Sequence, residues 1–496
     1  MKDITICKIN ESVLEIKAED DILHNLYSRY SAYQAGYQFN PKFKCRIWDG
    51  KVHLFNIRTG ILPIGFLFDV LQYCRSNNYS FDLEGITLED LRHTIDEQTY
   101  QQQILDNMKN SGRTLRSYQD EAVRKALTFR KGILLSCTSS GKSMMLYNII
   151  RNIRREGFKK ILLIVPNILL IKQMYDDFVD YGYDNYELEL TKMGGDETPD
   201  MSAPVLISTW QSLQNKSADF FEDFDAVFVD ECHGSQAKKL FSIIGHCVNA
   251  RVKIGTTGTL PTDAAELLKV QSVLGSVIFE LKSKELIDQG VLTQLQIANV
   301  ILKYPLEFIM ANKGRAYQEE VRLVEDYSGR NKALEFILHH TPSDHNILVL
   351  VNHIKHLNDI KKWCEEAFPE REVNIISGAV KGKERDEIRV GVENKNGLIL
   401  LATYQTMSTG VNIPKLHDVV LYANSKSKIK VLQSIGRGLR RHVTKNKIVL
   451  YDIVDDLSYQ TSRGRVVENY LLKHWKERLE YYREQEFPFI STSINI

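Results

Sequence analysis

Cysteine pairs, long apolar runs and repeated or low-complexity segments are scarce in this chain. Its seven cysteines include no C-x-x-C pair, which argues against a disulfide framework and a zinc module. No run approaches the roughly 18 apolar residues of a membrane span. The polar start MKDITICKINES also lacks the apolar core of a signal peptide. We therefore expect a cytoplasmic protein.

The composition is that of an ordinary multi-domain globular protein. Apolar residues make up 43% of the 496 residues and charged residues 26%, which excludes a disordered or fibrous class. A chain of this length favours roughly three or four domains. The formal net charge of +1 decides nothing about nucleic acid, because the charges that bind it are local.

Residues 1–95 are interpreted as a small α+β domain. Within them, Lys42–Trp48 and Lys51–Ile57 are short alternating runs separated by Asp49-Gly50, a pattern that predicts a β-hairpin. A polar stretch rich in Gln, Asp and Asn follows. We interpret residues 96–113 as a connecting helix or linker.

Short apolar runs alternate with helical periodicity over most of the remaining chain, which predicts two parallel sheets flanked by helices. The first set of runs lies in residues 114–280 and the second in residues 333–460. Residues 281–332 are less regular and are interpreted as an inter-lobe connection and excursion. Residues 461–496 are interpreted as a C-terminal helical segment, with an amphipathic helix packed on the second lobe.

A candidate phosphate-binding loop, Ser136–Ser143, follows an apolar run and opens a predicted helix. The helix N-terminus can surround phosphates, Lys142 adds a positive charge, and the Ser143 hydroxyl can ligate magnesium. Because Ser136 stands where glycine is usual, an ordinary polar turn is the alternative. We assign nucleotide binding to Thr138, Ser139, Ser140, Gly141, Lys142 and Ser143.

Two adjacent carboxylates, Asp230 and Glu231, follow the apolar run Ala226–Val229. At the carboxyl end of a strand, Asp230 can hold magnesium and Glu231 can orient or deprotonate an attacking water. A solvated acidic strand end is the alternative. The phosphate-binding loop upstream favours the catalytic interpretation, with Lys142 as a third member of the site.

These segments resemble motifs of superfamily 2 helicases. Asp230-Glu231-Cys232-His233 resembles motif II, and Ser140–Ser143 resembles motif I. Leu115–Gln119 resembles the adenine-recognising element, in which Gln119 can present a donor and an acceptor to the base. The resemblance implies two tandem RecA-like parallel-sheet domains that use ATP and act on nucleic acid.

Other segments of the first lobe resemble nucleic-acid motifs of the same family. Val165-Pro166-Asn167 with Gln173 resembles motif Ia, and Ser208-Thr209-Trp210-Gln211 resembles motif Ib. The resemblance implies strand contacts from Pro166, Gln173, Thr209 and Trp210. Polar N-caps of the following helices are the alternative. Thr257-Gly258-Thr259 lies where the family couples hydrolysis to strand movement, with glycine in place of the usual alanine.

In the second lobe, Thr409–Asn412 resembles motif V, a loop that faces both nucleotide and strand. The resemblance assigns Gly410 to the nucleotide and Thr409 to nucleic acid.

Gln433–Arg440 resembles motif VI. Arg437 and Arg440 are three positions apart and therefore share one helical face, from which they can reach a γ-phosphate. We assign Arg440 as the arginine finger, Arg437 as its partner and Gln433 to the same catalytic set. A basic surface helix is the alternative. Such a site is complete only when the two lobes close.

The first unit combines basic and aromatic side chains, a mixture that suits phosphate contacts and base stacking. If residues 42–48 form a strand, Lys42, Lys44 and Arg46 share one side of it. We predict that this basic face contacts nucleic acid. The aromatic residues can alternatively belong to a core.

Gly36–Phe43 with Trp48–Lys51 resembles the N-terminal domain of phage UvsW helicases, and Val431–Arg437 with Tyr451–Asp456 resembles the same family. Membership implies an ATP- and Mg²⁺-dependent DNA helicase of the host-cell cytoplasm. It implies remodelling of Holliday junctions, forks, displacement loops or R-loops in recombination, replication restart and repair. The alternatives are an RNA helicase, a restriction-system motor subunit and an ATP-switched annealing module.

Overall fold

The computed structural model describes residues 2–195, 197–232, 237–376, 395–408, 415–423 and 447–496. The chain divides into two compact units, Met1–Leu281 and Lys282–Ile496. Every helix in the described ranges is too short or too polar to cross a bilayer.

The first unit begins with a mixed sheet and two packed helices, the α+β arrangement that the sequence predicts. Its elements are β1 (Ile4–Lys8), β2 (Val13–Ala18), α1 (Asp20–Arg29), β3 (Ser31–Tyr33), α2 (Pro41–Lys44), β4 (Lys51–His53), β5 (Ile61–Pro63), α3 (Leu67–Ser76), β6 (Phe81–Glu84) and α4 (Leu88–Leu91), with 3₁₀ turns at Tyr37–Phe39 and Ile64–Phe66. The strand order is β5-β2-β1-β6. Alternating residues of β2 face a core that includes Ile22 and Leu26 of α1 and Val70 of α3.

The predicted hairpin of Lys42–Trp48 with Lys51–Ile57 is wrong. The side chain of Asn40 accepts a hydrogen bond from the backbone N–H of Lys42 at 3.0 Å, and Pro41 occupies the first helical position. Both features favour a helix start, so this segment opens with the short helix α2. Strand β4 pairs antiparallel with β3 instead.

The predicted common strand face of Lys42, Lys44 and Arg46 is therefore wrong as well. Lys42 and Lys44 belong to α2, and Arg46 lies in the turn after it with a φ of 58°. All three side chains are nevertheless exposed.

The N-terminal sheet packs directly on the α/β part of the same unit. Glu11 lies between β1 and β2, and its Oε2 forms an ion pair with Nζ of Lys131 at 2.8 Å. The backbone N–H of Glu11 also donates a hydrogen bond to the carbonyl of Val248. At Gly65 a Cβ atom would lie 2.1 Å from the carbonyl oxygen of Gln271, so the two backbones touch there. The small domain and the lobe thus form one compact unit.

The α/β part of the first unit is built on a seven-stranded sheet. Its elements are α5 (Glu97–Met108), α6 (Ser117–Phe129), β7 (Lys131–Ser136), α7 (Lys142–Arg155), β8 (Ile161–Val165), α8 (Ile168–Asp180), α9 (Tyr186–Glu189), β9 (Leu190–Met193), β10 (Val205–Thr209), α10 (Trp210–Leu213), α11 (Ala218–Glu222), β11 (Ala226–Asp230), α12 (Ala237–His246), β12 (Val252–Thr257), α13 (Ala264–Leu274) and β13 (Val277–Leu281). The order is β13-β7-β12-β11-β8-β10-β9, and every pair is parallel. The loops that follow these strands therefore meet at one edge of the sheet.

The stretch interpreted as a connecting helix or linker contains α5, which packs on α7. The Tyr147 hydroxyl donates to the carbonyl of Asn107 at 2.8 Å, and the Asn107 amide donates to the Asn148 side chain at 3.2 Å. Both asparagines are fully buried. Their hydrogen bonds explain how a polar stretch takes part in a core.

The second unit contains a second parallel sheet, as predicted. Its described elements are α14 (Ser283–Asp288), β14 (Gln294–Lys303), α15 (Leu306–Asn312), α16 (Tyr317–Glu325), a 3₁₀ turn (Ser328–Arg330), α17 (Asn331–His340), β15 (Ile347–Val351), α18 (Ile354–Ala367), β16 (Val373–Ile376), β17 (Ile399–Thr403), α19 (Tyr404–Ser408), β18 (Asp418–Leu421), β19 (Lys447–Asp456), β20 (Tyr459–Gln460), β21 (Val466–Val467), α20 (Tyr470–Glu484) and β22 (Phe489–Asn495). The order is β16-β17-β15-β18-β19-β14-β22, again parallel throughout.

Two strands of this sheet come from segments in which the sequence predicts no strand. Strand β14 lies within residues 281–332, and β22 follows the predicted C-terminal helix. Polar residues such as Gln296 and Asn299 interrupt the apolar run of β14 and hide its pattern. In the folded chain the Asn299 amide reaches the Ser491 hydroxyl at 3.1 Å, and so joins the two strands.

Candidate functional site

The phosphate-binding loop connects β7 to α7 at the carboxyl edge of the first sheet. Gly141 precedes α7 with a φ of 85°, and a Cβ atom there would lie 2.4 Å from Nε2 of Gln119. Ser136 donates from its Oγ to Oγ of Ser140 at 2.7 Å, and both side chains are fully buried. Ser136, which stands where glycine is usual, therefore stabilises this loop through a buried hydrogen bond.

Lys142 lies among oxygen atoms of the same edge. Its Nζ is 3.3 Å from Oε1 of Glu231 and 3.4 Å from the carbonyl oxygen of Ser136. Burial by itself lowers the pKa of Lys142, but the negative charges of Glu231 and Asp230 outweigh it and raise the pKa. Lys142 therefore stays protonated and keeps its positive charge beside the phosphate-binding loop.

Asp230 ends strand β11 and Glu231 follows it; this strand neighbours β12 and lies two places from β7. The Asp230 carboxylate accepts a 2.7 Å hydrogen bond from the Thr256 hydroxyl. Burial and the adjacent charge of Glu231 raise the pKa of Asp230 to about 6. Glu231 turns the chain with a φ of 52°, which aims its carboxylate at Lys142. The structure thus brings together the three residues that the sequence assigns to catalysis in the first lobe.

Gln119 lies directly beneath the phosphate-binding loop and is 6% exposed. Its Nε2 donates to the carbonyl of Ser140 at 2.9 Å, while its Oε1 accepts from the backbone N–H of Arg116 at 3.0 Å. The Tyr118 hydroxyl also donates to the Ser140 carbonyl, at 3.2 Å. The predicted base-recognising residue is therefore also a brace of the loop.

Ser143 meets a residue that sequence reasoning missed. Its Oγ lies 2.9 Å from the hydroxyl of Tyr181, which follows α8. The two residues are 38 positions apart, and no local pattern signals the contact. Thr256, the partner of Asp230, was also missed, although it directly precedes the predicted coupling segment.

The predicted coupling segment, Thr257-Gly258-Thr259, begins at the last residue of β12 and lies beside the phosphate-binding loop. A Cβ atom at Gly258 would be 3.6 Å from the Ser136 carbonyl and 3.7 Å from the Thr138 backbone nitrogen, which are ordinary contact distances. The usual alanine would therefore fit here.

The predicted nucleic-acid contacts of the first lobe follow the neighbouring strands β8 and β10. Pro166 is half-buried and Gln173 is exposed on α8. Thr209 is 1% exposed and caps α10, whereas Trp210 packs against the buried core of the lobe. The N-cap interpretation thus describes both segments, since the Asn167 side chain caps α8 and Thr209 caps α10. Strand contacts from Pro166 and Gln173 stay predictions.

The predicted residues of the second lobe, Thr409, Gly410, Gln433, Arg437 and Arg440, lie outside the described residues, and their roles stay predictions. His233 of the motif II resemblance also lies outside them.

The basic N-terminal residues border an open cleft of about 650 Å³. Its lining includes Lys44, Arg46, Phe43 and Trp48, and the Trp48 indole donates to the Lys51 carbonyl at 2.7 Å. Phe39 nearby is 78% exposed. This surface combines cations with accessible aromatic rings.

Three known families match successive parts of the chain. The family "DNA helicase UvsW, N-terminal" matches residues 3–84, "Type III restriction enzyme, res subunit" matches residues 94–262, and "Helicase conserved C-terminal domain" matches residues 329–442. The order and extent of these matches agree with a small domain followed by two motor lobes.

Among curated proteins, the chain is 32% identical to the ATP-dependent DNA helicase uvsW of Enterobacteria phage T4, over 100% of both chains. It is 24% identical to the type I restriction enzyme EcoAI endonuclease subunit of Escherichia coli, over 66% of this chain and 44% of that protein. Because the second match leaves part of this chain uncovered, the restriction-subunit alternative is not favoured.

Among solved structures, the crystal structure of T4 UvsW matches with 29% identity and a TM-score of 0.51, covering 99% of each chain. The Saccharomyces cerevisiae Dbp5 structure bound to RNA and ADP BeF3 matches with 15% identity and a TM-score of 0.51, over 79% of this chain and 93% of that one, a likeness of fold alone. The predicted fold class, two tandem RecA-like domains with a small N-terminal domain and a helical C-terminal segment, is confirmed.

Proposed function

This chain belongs to the UvsW family of ATP-dependent DNA helicases, and we propose that it hydrolyses ATP to remodel branched DNA in recombination, replication restart and repair. The observation that carries the proposal is the convergence of Lys142, Asp230 and Glu231 on one partly buried cluster at the sheet edge. The substrates that we propose are Holliday junctions, forks, displacement loops and RNA–DNA hybrids, in the host-cell cytoplasm.

Each residue of the cluster has a distinct role in this proposal. Lys142 neutralises charge on the transferred phosphoryl group, and the helix N-terminus of α7 adds backbone N–H groups. Glu231 orients the attacking water and accepts its proton. Since Glu231 lies 3.3 Å from Lys142, the water-activating group and the phosphate-binding group are already side by side.

Asp230 and Ser143 would hold Mg²⁺ at this site. The Asp230 carboxylate is held by its hydrogen bond from the Thr256 hydroxyl and lies next to Glu231, so a cation here would offset the repulsion between two adjacent negative charges. Magnesium in phosphate-processing sites usually takes one or two carboxylates, waters and substrate oxygens, so this donor set fits the ion. When bound, the ion would neutralise charge on the phosphates.

Nucleic acid is proposed to follow the same edge beyond the nucleotide, over the loops after β8 and β10. Pro166, Gln173, Thr209 and Trp210 are the residues proposed for it, together with Thr409 of the second lobe. Thr209 caps α10 and Trp210 packs against the core, so these two residues stabilise the loop. Gln173 is exposed, and its side chain is the one in this set suited to direct contact with nucleic acid.

We assign residues 1–95 to a DNA-binding domain that binds the DNA on which the motor lobes act. The exposed cations Lys42, Lys44 and Arg46 suit the phosphate backbone. The cleft beside them carries Phe43 and Trp48, which suit stacking on an unpaired base at a branch point.

The proposed function is tested by unwinding of a synthetic four-way DNA junction, a plain DNA duplex and an RNA duplex of equal length. With ATP, we expect the strands of the junction to separate faster than the strands of either duplex. With a non-hydrolysable ATP analogue, we expect no strand separation. Equal activity on DNA and RNA duplexes would support the RNA-helicase alternative. Strand annealing without ATP turnover would support the annealing module.

A further inference from the structure

The contact between Ser143 and Tyr181 joins the nucleotide site to the residue that ends helix α8. We propose that Tyr181 is a positioning residue for Ser143: its hydroxyl fixes the Ser143 hydroxyl so that a serine lone pair is available to a divalent cation bound with ATP. The inference rests on the proposed function, because that function supplies the cation.

Tyr181 is held firmly enough for this role. It is 8% exposed, and its backbone N–H donates to the carbonyl of Asp177 at 2.9 Å. Its ring meets the ring of Tyr147 edge-on, with centroids 5.5 Å apart. The Arg113 guanidinium also lies 5.1 Å from the ring centroid, and it is within 3.5 Å of the Asp180 carboxylate. The phenol therefore has little freedom to turn away from Ser143.

The chemistry of a serine ligand explains why such a partner matters. A hydroxyl has one proton and two lone pairs, and it rotates freely unless a neighbour fixes it. With Tyr181 oxygen 2.9 Å away, the proton of one hydroxyl is committed to the other, and Ser143 keeps a lone pair for the metal. Partners of this kind behind a metal ligand typically contribute about 10- to 100-fold in metal affinity.

Tyr183 provides a matched control in the same segment. It is 3% exposed and also packs against Tyr147, but its hydroxyl donates to Glu189 at 3.0 Å and not to the nucleotide loop. Tyr183→Phe therefore removes a buried phenol hydroxyl of equal kind, away from Ser143.

The test measures binding of a fluorescent ATP analogue to the full chain, without DNA, in magnesium and in EDTA. For Tyr181→Phe we expect affinity in magnesium to fall roughly tenfold, and the magnesium concentration at half-saturation to rise by a similar factor. Binding in EDTA should stay within about twofold of the wild type. Tyr183→Phe should match the wild type in both conditions. Circular dichroism checks that each variant folds.

A double-mutant cycle completes the test, since residues in contact are not additive. If Tyr181 acts through Ser143, Tyr181→Phe should have no further effect in a Ser143→Ala background. The inference is overturned if Tyr181→Phe binds the magnesium complex like Tyr183→Phe, binds it more tightly, or loses affinity equally in EDTA. A wild type that binds no nucleotide in magnesium would instead refute the proposed function.

Discussion

Lys253 Nζ donates a 2.7 Å hydrogen bond to Ser12 Oγ, which ties central strand β12 of the motor lobe to the turn between β1 and β2. Lys253 is 1% exposed, and its ammonium also donates to the Ile244 carbonyl at 3.3 Å. Burial lowers the pKa of Lys253 from 10.5 to about 7. The junction between the two parts of this unit therefore contains a lysine that is costly to keep charged.

This lysine should make stability rise with pH. Because its pKa in the folded chain is lower, the unfolded chain binds more protons between pH 7 and pH 10.5, and unfolding becomes less favourable as pH rises through that window. The slope is at most about 1.4 kcal/mol per pH unit. Lys253→Met should flatten the dependence of the urea midpoint on pH, whereas the exposed Lys159→Met should keep the wild-type slope. An unchanged slope in Lys253→Met would contradict the assignment.

Glu231→Gln should bind ATP and DNA yet hardly turn over. Glutamine keeps the size of the side chain but cannot accept a proton from water, so kcat should fall by about 10²- to 10⁴-fold. Steady-state ATPase assays with DNA measure kcat, and fluorescence titration measures binding. Glu222→Gln, at an exposed position before β11, should keep wild-type turnover. Unaltered turnover in Glu231→Gln would falsify the role of this carboxylate.

Gly141→Ala should disable nucleotide binding. Its φ of 85° is unfavourable for alanine, and the new Cβ would lie 2.4 Å from the Gln119 amide that braces the loop. We expect ATP affinity to fall at least about tenfold, beyond a stability loss of about 1 kcal/mol from the backbone. Gly157→Ala is the control, since its φ is 95° but nothing lies within 4 Å of the added atom. It should lose stability similarly while binding ATP normally.

Lys42→Ala with Lys44→Ala should weaken binding to branched DNA and reduce its salt dependence. Affinity falls as salt rises, and each phosphate contact adds about 0.9 to the steepness of log affinity against log salt. Loss of two contacts should therefore make this dependence shallower by about 2. Fluorescence anisotropy over a salt series measures this slope. Lys17→Ala with Arg75→Ala removes the same charge from exposed positions of the same domain and should leave the slope unchanged. Equal losses in both pairs would indicate a general charge effect.

Asp455→Asn should strongly destabilise the second unit. Asp455 and Arg330 are fully buried, joined by contacts of 2.9 and 3.0 Å, and the Tyr304 hydroxyl donates to the same carboxylate at 2.7 Å. Removing the Asp455 charge leaves the Arg330 charge buried without its partner, which should lower the free energy of unfolding by about 3–5 kcal/mol. Thermal or urea unfolding measures the loss. Glu486→Gln, which removes the exposed partner of Lys284, is the control and should leave the unfolding midpoint in place.

Sequence determined the parts of this protein in which local pattern and chemistry coincide. Buried parallel strands such as Ile161–Val165 and Ile347–Val351 are continuous apolar runs, and Ser140–Ser143 and Asp230-Glu231 follow strands in the order that a phosphate site requires. The catalytic cluster of the first lobe was predictable because each member lies next to a strand end, and parallel strands place their ends together.

Tertiary structure decided what depends on distant partners. Lys42–Trp48 is different, because it alternates like a strand although the adjacent Asn40 cap and Pro41, both visible in the sequence, direct it into a helix. Strand β14 is hidden by Gln296 and Asn299. In the folded chain Gln296 accepts a hydrogen bond from Lys447 of β19, and Asn299 donates one to Ser491 of β22. The contacts of Tyr181 with Ser143 and of Lys253 with Ser12 join residues far apart in the chain. Their energies arise from burial and hydrogen bonding that exist after folding, so no short sequence window contains them.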